Sequence, residues 1–462
     1  MRLNNILGSS LLKFACLSLF TMSFTCGSLA APPTTGDSAI LRSYAQTKGF
    51  SLGRPQKPKF AYDAKSVLFL RSEPNDKTQK LFRYDIATKQ ASLLVDPATL
   101  LGGQTEELSA EEKARRERQR LYTGGFADFY VCPQADLVLL PLSGKLYLLD
   151  GTSGQTQKLE IEGSVTDPKW SPDGKKIAYV KGFDVFVYDV AKKHERALTS
   201  GGSAELTHGI AEFVAQEEMR RYSGFWWNPE STRIAFTEAD HKGVEAWYIS
   251  DPARPDKAPQ KQFYPRPGQK NVAVRLGLVS IAPEESYPVT WIAPPQGMEY
   301  LAAVHWDKQG PLTVQWQDRG QKKLRLCQID PYTGASETLL EETDPAWVNI
   351  HHNLPAWTAG AKQFLFYRNV GGYERLTLHN PKGQTVRQLI DNPSEVSEFE
   401  GLEIEDELET RVTYALDPKT GNPDTGSVIL DEKGAQVGPA WSLIEGGVQS
   451  VVTSPRSQLR MV

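Results

Sequence analysis

The sequence predicts an all-β chain folded as a β-propeller of four-stranded blades, with short helical insertions and a last blade that is incomplete or divergent. Three observations predict it. Short alternating segments ending in Asp or Asn recur along the chain, a turn motif recurs where blades open, and regular amphipathic helices between strands are missing.

The alternating segments include Leu81-Phe82-Arg83-Tyr84-Asp85, Leu146-Tyr147-Leu148-Leu149-Asp150, Val185-Phe186-Val187-Tyr188-Asp189, Ala246-Trp247-Tyr248-Ile249-Ser250-Asp251, Leu324-Arg325-Leu326-Cys327-Gln328-Ile329-Asp330 and Leu376-Thr377-Leu378-His379-Asn380. Each reads as a strand followed by a turn. Asp150 and Asp189 are 39 residues apart, the length of one four-stranded blade, and longer spacings imply insertions.

The turn motif is Trp170-Ser171-Pro172-Asp173-Gly174, followed by Lys176-Ile177-Ala178-Tyr179, and it is echoed by Trp227-Asn228-Pro229-Glu230-Ser231, followed by Arg233-Ile234-Ala235-Phe236. Pro with Asp or Glu presets the turn, and the aromatic and β-branched positions supply the packing between blades. A doubly wound parallel sheet would need helices of about 10 to 15 residues between its strands, so the sheets are expected to be antiparallel.

Composition bounds the rest. A chain of 462 residues is long enough for one large repeat domain. With 52 basic and 56 acidic residues it has no positive field for nucleic acid or an anionic membrane, and neither is an expected partner. Residues 1–30 read as an export signal: Arg2 and Lys13 supply the basic region, residues 14–24 are apolar, and Ser28-Leu29-Ala30 offers a cleavage site.

Cleavage there starts the mature chain at Ala31 and moves the formal charge from −4 to −6, through the loss of those two basic residues. Cys26 follows Thr25, a poor residue for lipid-linked processing, so an exported periplasmic or secreted protein is expected, not a lipoprotein. No later apolar run nears the roughly 18 residues of a membrane span. Cys132 and Cys327 read as buried free thiols, and no metal-ligand spacing or cofactor motif is present, so no metal or cofactor is expected.

Two segments read as helices inserted between blades. In residues 108–121, Ser109 is placed to cap a helix with Glu112 three residues on, and an arginine-rich run follows. In residues 205–222 a second helix is centred on residues 213–221 and carries the adjacent acids Glu217 and Glu218 ahead of Phe225-Trp226-Trp227.

These acids admit two readings. Glu217 and Arg221 have the spacing of an ordinary i,i+4 ion pair on a solvated face. Alternatively, Glu217 and Glu218 form a dicarboxylate clamp that gives one ammonium group charge-assisted hydrogen bonds from two acids.

The run through Glu217-Glu218 and Trp226-Trp227 resembles the double-glutamate motif of the dipeptidyl peptidase IV family. Tyr264-Pro265-Arg266-Pro267-Gly268-Gln269-Lys270-Asn271, Val274-Arg275-Leu276-Gly277, Trp347-Val348-Asn349 and Gly372-Tyr373-Glu374-Arg375-Leu376 follow in the same order, so the resemblance covers roughly residues 50 to 400. It implies an eight-bladed propeller that caps an α/β-hydrolase domain. It also implies that Glu217 and Glu218 bind the free α-amine of a peptide, so that a serine nucleophile releases N-terminal X-Pro or X-Ala dipeptides. An arginine near the substrate carbonyl belongs to that site. Within Arg115-Arg116-Glu117-Arg118-Gln119-Arg120 the resemblance puts Arg118 first, ahead of Arg116 and Arg120.

The chain departs from the family in one respect. It contains no Gly-x-Ser-x-Gly nucleophile elbow, and its seven histidines all fall within propeller sequence. No catalytic residue is assigned, the catalytic domain is expected to be absent, and the chain alone is expected to be inactive. The strand pattern also weakens after about residue 405, through Thr420-Gly421-Asn422-Pro423-Asp424-Thr425-Gly426.

The expected role is the substrate-gating propeller of a serine aminodipeptidase, with peptide N-termini and a separate hydrolase domain as partners and the oligomeric state open. The alternative is an exported, non-catalytic propeller that binds peptide N-termini or a protein partner.

Overall fold

The computed structural model describes residues 35–282, 288–389, 395–404, 410–417, 424–430, 441–444, 452–453 and 460–461. The export signal read at residues 1–30 lies outside them. Residues 1–51 and 52–462 form separate units. The first carries helix α1, Thr35–Gln46, after which Thr47 Oγ1 donates to the Ser43 carbonyl at 2.7 Å.

The second unit is a β-propeller. Its described residues include seven sheets, each built on a four-strand antiparallel path, and two further two-stranded sheets. Blade 1 consists of Gln56–Phe60, Ser66–Arg71, Thr78–Asp85 and Gln90–Val95; blade 2 of Tyr130–Val131, Leu137–Leu142, Lys145–Asp150 and Thr156–Lys158; blade 3 of Thr166–Trp170, Lys176–Lys181, Asp184–Asp189 and His194–Ala197.

Blade 4 pairs Arg233–Asp240 with Ala273–Ser280, which pairs in turn with Thr290–Ile292. Blades 5, 6 and 7 start at Tyr300–His305, Ala356–Trp357 and Glu395–Ile404. The last sheet, Val452–Thr453 with Arg460–Met461, lies against Gln56–Phe60 of blade 1, so the end of the ring meets its beginning. The weakened pattern around residue 420 resolves at its end into a strand of blade 7, Asp424–Leu430, while residues 418–423 lie outside the described set.

The core sits between blades. Leu68, Leu70 and Leu81 of blade 1 pack with Val138, Leu140 and Leu149 of blade 2, and Ala178, Val180 and Val187 of blade 3 pack with Ile234 and Phe236 of blade 4. Because a blade buries both faces, its middle strands read as nearly continuous apolar runs: Ser66–Arg71 is buried at five consecutive positions. Each such Leu or Val contributes roughly 1.5 to 3 kcal/mol. Cys132 and Cys327 are buried thiols that are not bridged to each other, as read from the sequence.

Polar staples cross the same seams. Lys59 Nζ reaches the Phe129 carbonyl at 2.5 Å and Asp128 at 2.9 Å, and Lys169, at the matching place in blade 3, reaches the Phe225 carbonyl of blade 4 at 2.5 Å. Trp170 Nε1 donates back to the Tyr130 carbonyl at 3.1 Å.

The recurring Asp is a turn device. Asp85, Asp150, Asp189 and Asp330 each stand at the end of a third strand, and each carboxylate accepts backbone N–H groups of the turn into the fourth, as from Ser153 at 2.7 Å and Thr333 at 2.8 Å. The opening motif behaves likewise: Asn228 Oδ1 accepts from the Thr232 and Arg233 amides, both at 2.7 Å.

Ala246–Ile249 is a strand followed by the Asp251 turn, as read from the sequence, and with Gln260–Phe263 it forms a separate hairpin inserted between the second and third strands of blade 4. One expectation is corrected: the segment 205–222 does not lie between blades but interrupts the first strand of blade 4. Its two parts, Leu206–His208 and Phe225–Trp227, both pair with Arg233–Asp240. Segment 108–121 does lie between blades 1 and 2, after the short helix α2, Pro97–Leu101, and its helix α3 spans Ala110–Arg118.

Candidate functional site

The interrupted strand creates the site. The chain leaves blade 4 at Gly209 and returns at Gly224, and Thr237 of the neighbouring strand holds both ends. Gly209 N donates to the Thr237 carbonyl and Thr237 N to the Gly224 carbonyl, both at 2.8 Å, while Thr237 Oγ1 reaches the Ile210 carbonyl at 3.1 Å. The neck needs glycine twice: Gly209 sits at φ +71°, and a Cβ on Gly224 would lie 2.3 Å from the Gly209 carbonyl carbon.

Helix α4, Phe213–Glu218, stands on this neck. It is shorter than the sequence suggests, because Arg220 adopts φ +51° and turns the chain inward. The i,i+4 pair between Glu217 and Arg221 is therefore not made. Arg221 is buried instead and pairs with Glu212 at 2.6 Å, the two side chains being 4% and 1% exposed. Its Nε donates to the Leu301 carbonyl of blade 5 at 2.9 Å and its Nη1 to the Ser223 carbonyl at 3.0 Å. His352 approaches the Met219 carbonyl, and burial keeps that ring below the usual histidine range. Blade 5 and the segment leading from it to blade 6 thus hold the end of α4.

With Arg221 committed elsewhere, Glu217 is half-buried with its Oε2 3.5 Å from Arg120 Nη2, and Glu218 is exposed, with no ion pair among the described residues. Helix α3 supplies the opposing charge. Ser109 caps it by accepting from Glu112 N at 3.2 Å. Burial would raise the Glu112 carboxyl, but the guanidinium groups of Arg115 and Arg116 outweigh it and hold it below the usual range.

That pairing consumes Arg115, and Arg116 is buried between Glu112 and Glu106, at 2.9 Å from each. Arg118 is left without a carboxylate at ion-pair distance among the described residues. Its guanidinium lies 5.1 Å over the Phe213 ring of α4; desolvation weakens its hold on its proton, and the Glu217 charge opposes that. The structure thus brings Glu217, Arg118 and Arg120 together, leaves Glu218 accessible beside them, and takes Arg116 away. Two carboxylates next to an unneutralised guanidinium can hold a cationic amine and a neutral acceptor side by side.

A propeller whose fourth blade opens its first strand to present an acidic helix against an arginine-rich one is the class of protein defined here. The family model for the dipeptidyl peptidase IV (DPP IV) N-terminal region matches residues 136–415, more than half of the chain, and the chain belongs to that family.

Among curated relatives, it is 25% identical over 321 residues to dipeptidyl peptidase 8 of Mus musculus, covering 56% of this chain and 36% of that protein. It is 28% identical over 228 residues to dipeptidyl peptidase 4 of Sus scrofa, covering 45% and 30%. The chain spans about a third of the length of such relatives. The crystal structure of Porphyromonas gingivalis dipeptidyl peptidase 4 superposes with a TM-score of 0.63 at 17% identity, over 87% of this chain and 55% of that one, which shows the fold. Helix α3 precedes the matched region, so the placement of Arg118 stands on the geometry.

Sequence reasoning missed Thr237, the Glu212–Arg221 pair and the ring of Phe213 beneath Arg118. Gly209 and Gly224, one at each end of the helical segment, were the visible signal for the neck.

Proposed function

We propose that this chain is the substrate-gating propeller of a dipeptidyl peptidase IV-like serine aminodipeptidase, exported by way of residues 1–30. Glu217 and Glu218 clamp the free α-amine of a peptide and Arg118 receives the adjacent carbonyl. The observation that carries this reading is that Glu217 is not neutralised by Arg221, which the buried Glu212 holds, and so faces Arg118 at the end of the neighbouring helix and Arg120 just beyond it.

A clamp fixed at one distance from a nucleophile restricts attack to the second peptide bond, so release of X-Pro or X-Ala dipeptides belongs to the clamp together with a hydrolase domain. The propeller alone binds peptide N-termini. The test is binding of an X-Pro peptide with a free and with an acetylated N-terminus, alongside a chromogenic assay for dipeptide release. Binding lost on acetylation, without turnover, supports the gating role; equal binding of both peptides would overturn the clamp, and turnover would overturn the separation of clamp and chemistry.

A further inference from the structure

Tyr264, which opens the Tyr-Pro-Arg-Pro-Gly run, stands at the root of the inserted hairpin and reaches the helix that carries the acids. It directly follows the second hairpin strand, Gln260–Phe263, and its N–H donates to the Glu245 carbonyl at 2.9 Å, which closes the hairpin's base. Its ring centroid lies 5.0 Å from that of Phe213, the first residue of α4, with the planes tilted by 58°. Aromatic pairs at this separation attract beyond their area of burial.

Helix α4 needs such a support. Six residues are too few for a helix to hold itself, and its capping residue Glu212 makes no side-chain capping bond, because that carboxylate is turned to Arg221. The chain after its last turn is fixed by Arg221 on the Leu301 carbonyl. At its first turn the Phe213 ring meets Tyr264 from the hairpin and the Arg118 guanidinium, at 5.1 Å, from α3. Phe213 and Glu217 are four positions apart and share one face of α4, so the ring beneath Arg118 is the platform that sets this guanidinium against the Glu217 charge.

The contacts continue outward along the hairpin. The Trp247 ring of its first strand lies 6.0 Å from that of Tyr264, the Arg266 guanidinium lies 5.6 Å over Trp247, and Arg266 is bidentate to Glu245 at 2.7 and 2.8 Å. Trp247 and Tyr264 remain 45% and 40% exposed, so this row of rings is not the core of a blade. The hairpin pairs with no other sheet among the described residues, and a two-stranded hairpin is marginal in water without packing of this kind.

We propose that Tyr264 is a positioning residue for the amine clamp: it holds Phe213 from the hairpin side and so keeps Arg118 opposite Glu217. This role rests on the clamp reading for its effect on peptides, whereas its effect on α4 can be measured without one.

The first measurement is hydrogen–deuterium exchange of the ligand-free chain in wild type, Tyr264→Ala and Tyr264→Phe. Amides of residues 213–218 should exchange about threefold to tenfold faster in Tyr264→Ala and return to wild-type rates in Tyr264→Phe, with blades 1 and 6 unchanged in both. A free-amine X-Pro peptide should bind Tyr264→Ala about threefold to tenfold more weakly and Tyr264→Phe normally, and the acetylated peptide should be unaffected. In a Phe213→Leu background, Tyr264→Ala should add less than about twofold to either effect, because the ring through which it acts is gone.

Unchanged exchange in Tyr264→Ala, no recovery in Tyr264→Phe, or an undiminished effect in the Phe213→Leu background would overturn the positioning role. Faster exchange with unchanged binding of the free-amine peptide would confine Tyr264 to the fold and sever its link to the clamp. Equal binding of free and acetylated peptides by the wild type would sink the clamp itself, and the exchange rates would still decide whether Tyr264 holds α4.

Discussion

Gly224 and Gly209 meet so closely that a methyl group on Gly224 would stand 2.3 Å from the Gly209 carbonyl carbon. Ordinary packing cannot absorb that distance, so the neck beneath α4 admits glycine at this place and no larger residue.

Gly224→Ala should therefore open the neck and loosen its bonds to Thr237. A loss of about 1 to 3 kcal/mol in urea unfolding is expected, together with weaker binding of free-amine peptides. Thr237→Val, which removes only the side-chain bonds of the same neck, should cost about 1 kcal/mol.

Arg221 and Glu212 form a buried pair, and the removal of one partner strands the other. Arg221→Met should destabilise the protein by about 3 to 5 kcal/mol, and adding Glu212→Leu should recover part of that loss. A double-mutant cycle read by chemical unfolding gives the coupling.

For the clamp, Glu217→Gln and Glu218→Gln should each weaken a free-amine X-Pro peptide by about tenfold and leave the acetylated peptide unaffected. Equal losses for both peptides would mean that the carboxylates serve the fold and not the amine. Isothermal titration of the two peptides separates these outcomes.

Stability should also fall on mild acidification. Burial depresses His305 and His379 to about 4. A depressed folded histidine pKa means that the unfolded chain takes up the proton first, so stability is intact above about pH 6.5 and declines as pH falls from there towards 4, by at most about 3 kcal/mol per residue. Urea midpoints at a series of pH values measure the slope, and His379→Gln should flatten it. Asp85, Asp150 and Asp330, held below the usual carboxylate range mainly by turn amides, extend the decline to lower pH.

What the sequence revealed and concealed follows from the range of the forces involved. The Asp turns and the Trp-Ser-Pro-Asp-Gly opening were legible because each is a bond between residues at most about five positions apart. Ala246–Ile249 and its Asp251 turn were legible for the same reason, but their place outside the blade was not, since only pairing at a distance, Asp240 with Ala273, shows that the blade continues past them. The partner of Arg221 was misread because i,i+4 spacing assumes an unbroken helix, whereas α4 ends at Glu218 and Arg220 reverses the backbone. Glu217 and Glu218 themselves were legible as a motif; the bonds from blade 5 and the segment after it that hold the end of their helix were not, because they join residues about 80 to 130 positions apart.

The neck at Gly209, Gly224 and Thr237 has a consequence for how this protein can vary. Both ends of the excursion are hydrogen-bonded to one residue of a continuous strand, so the pairing of Leu206–His208 and Phe225–Trp227 keeps its register whatever lies between them. The entropic cost of a longer excursion grows only logarithmically with its length. The outer part of this segment, α4 with its acids, can thus change in length and sequence without moving the strands of blade 4, provided that Glu212 and Arg221 are kept to anchor it.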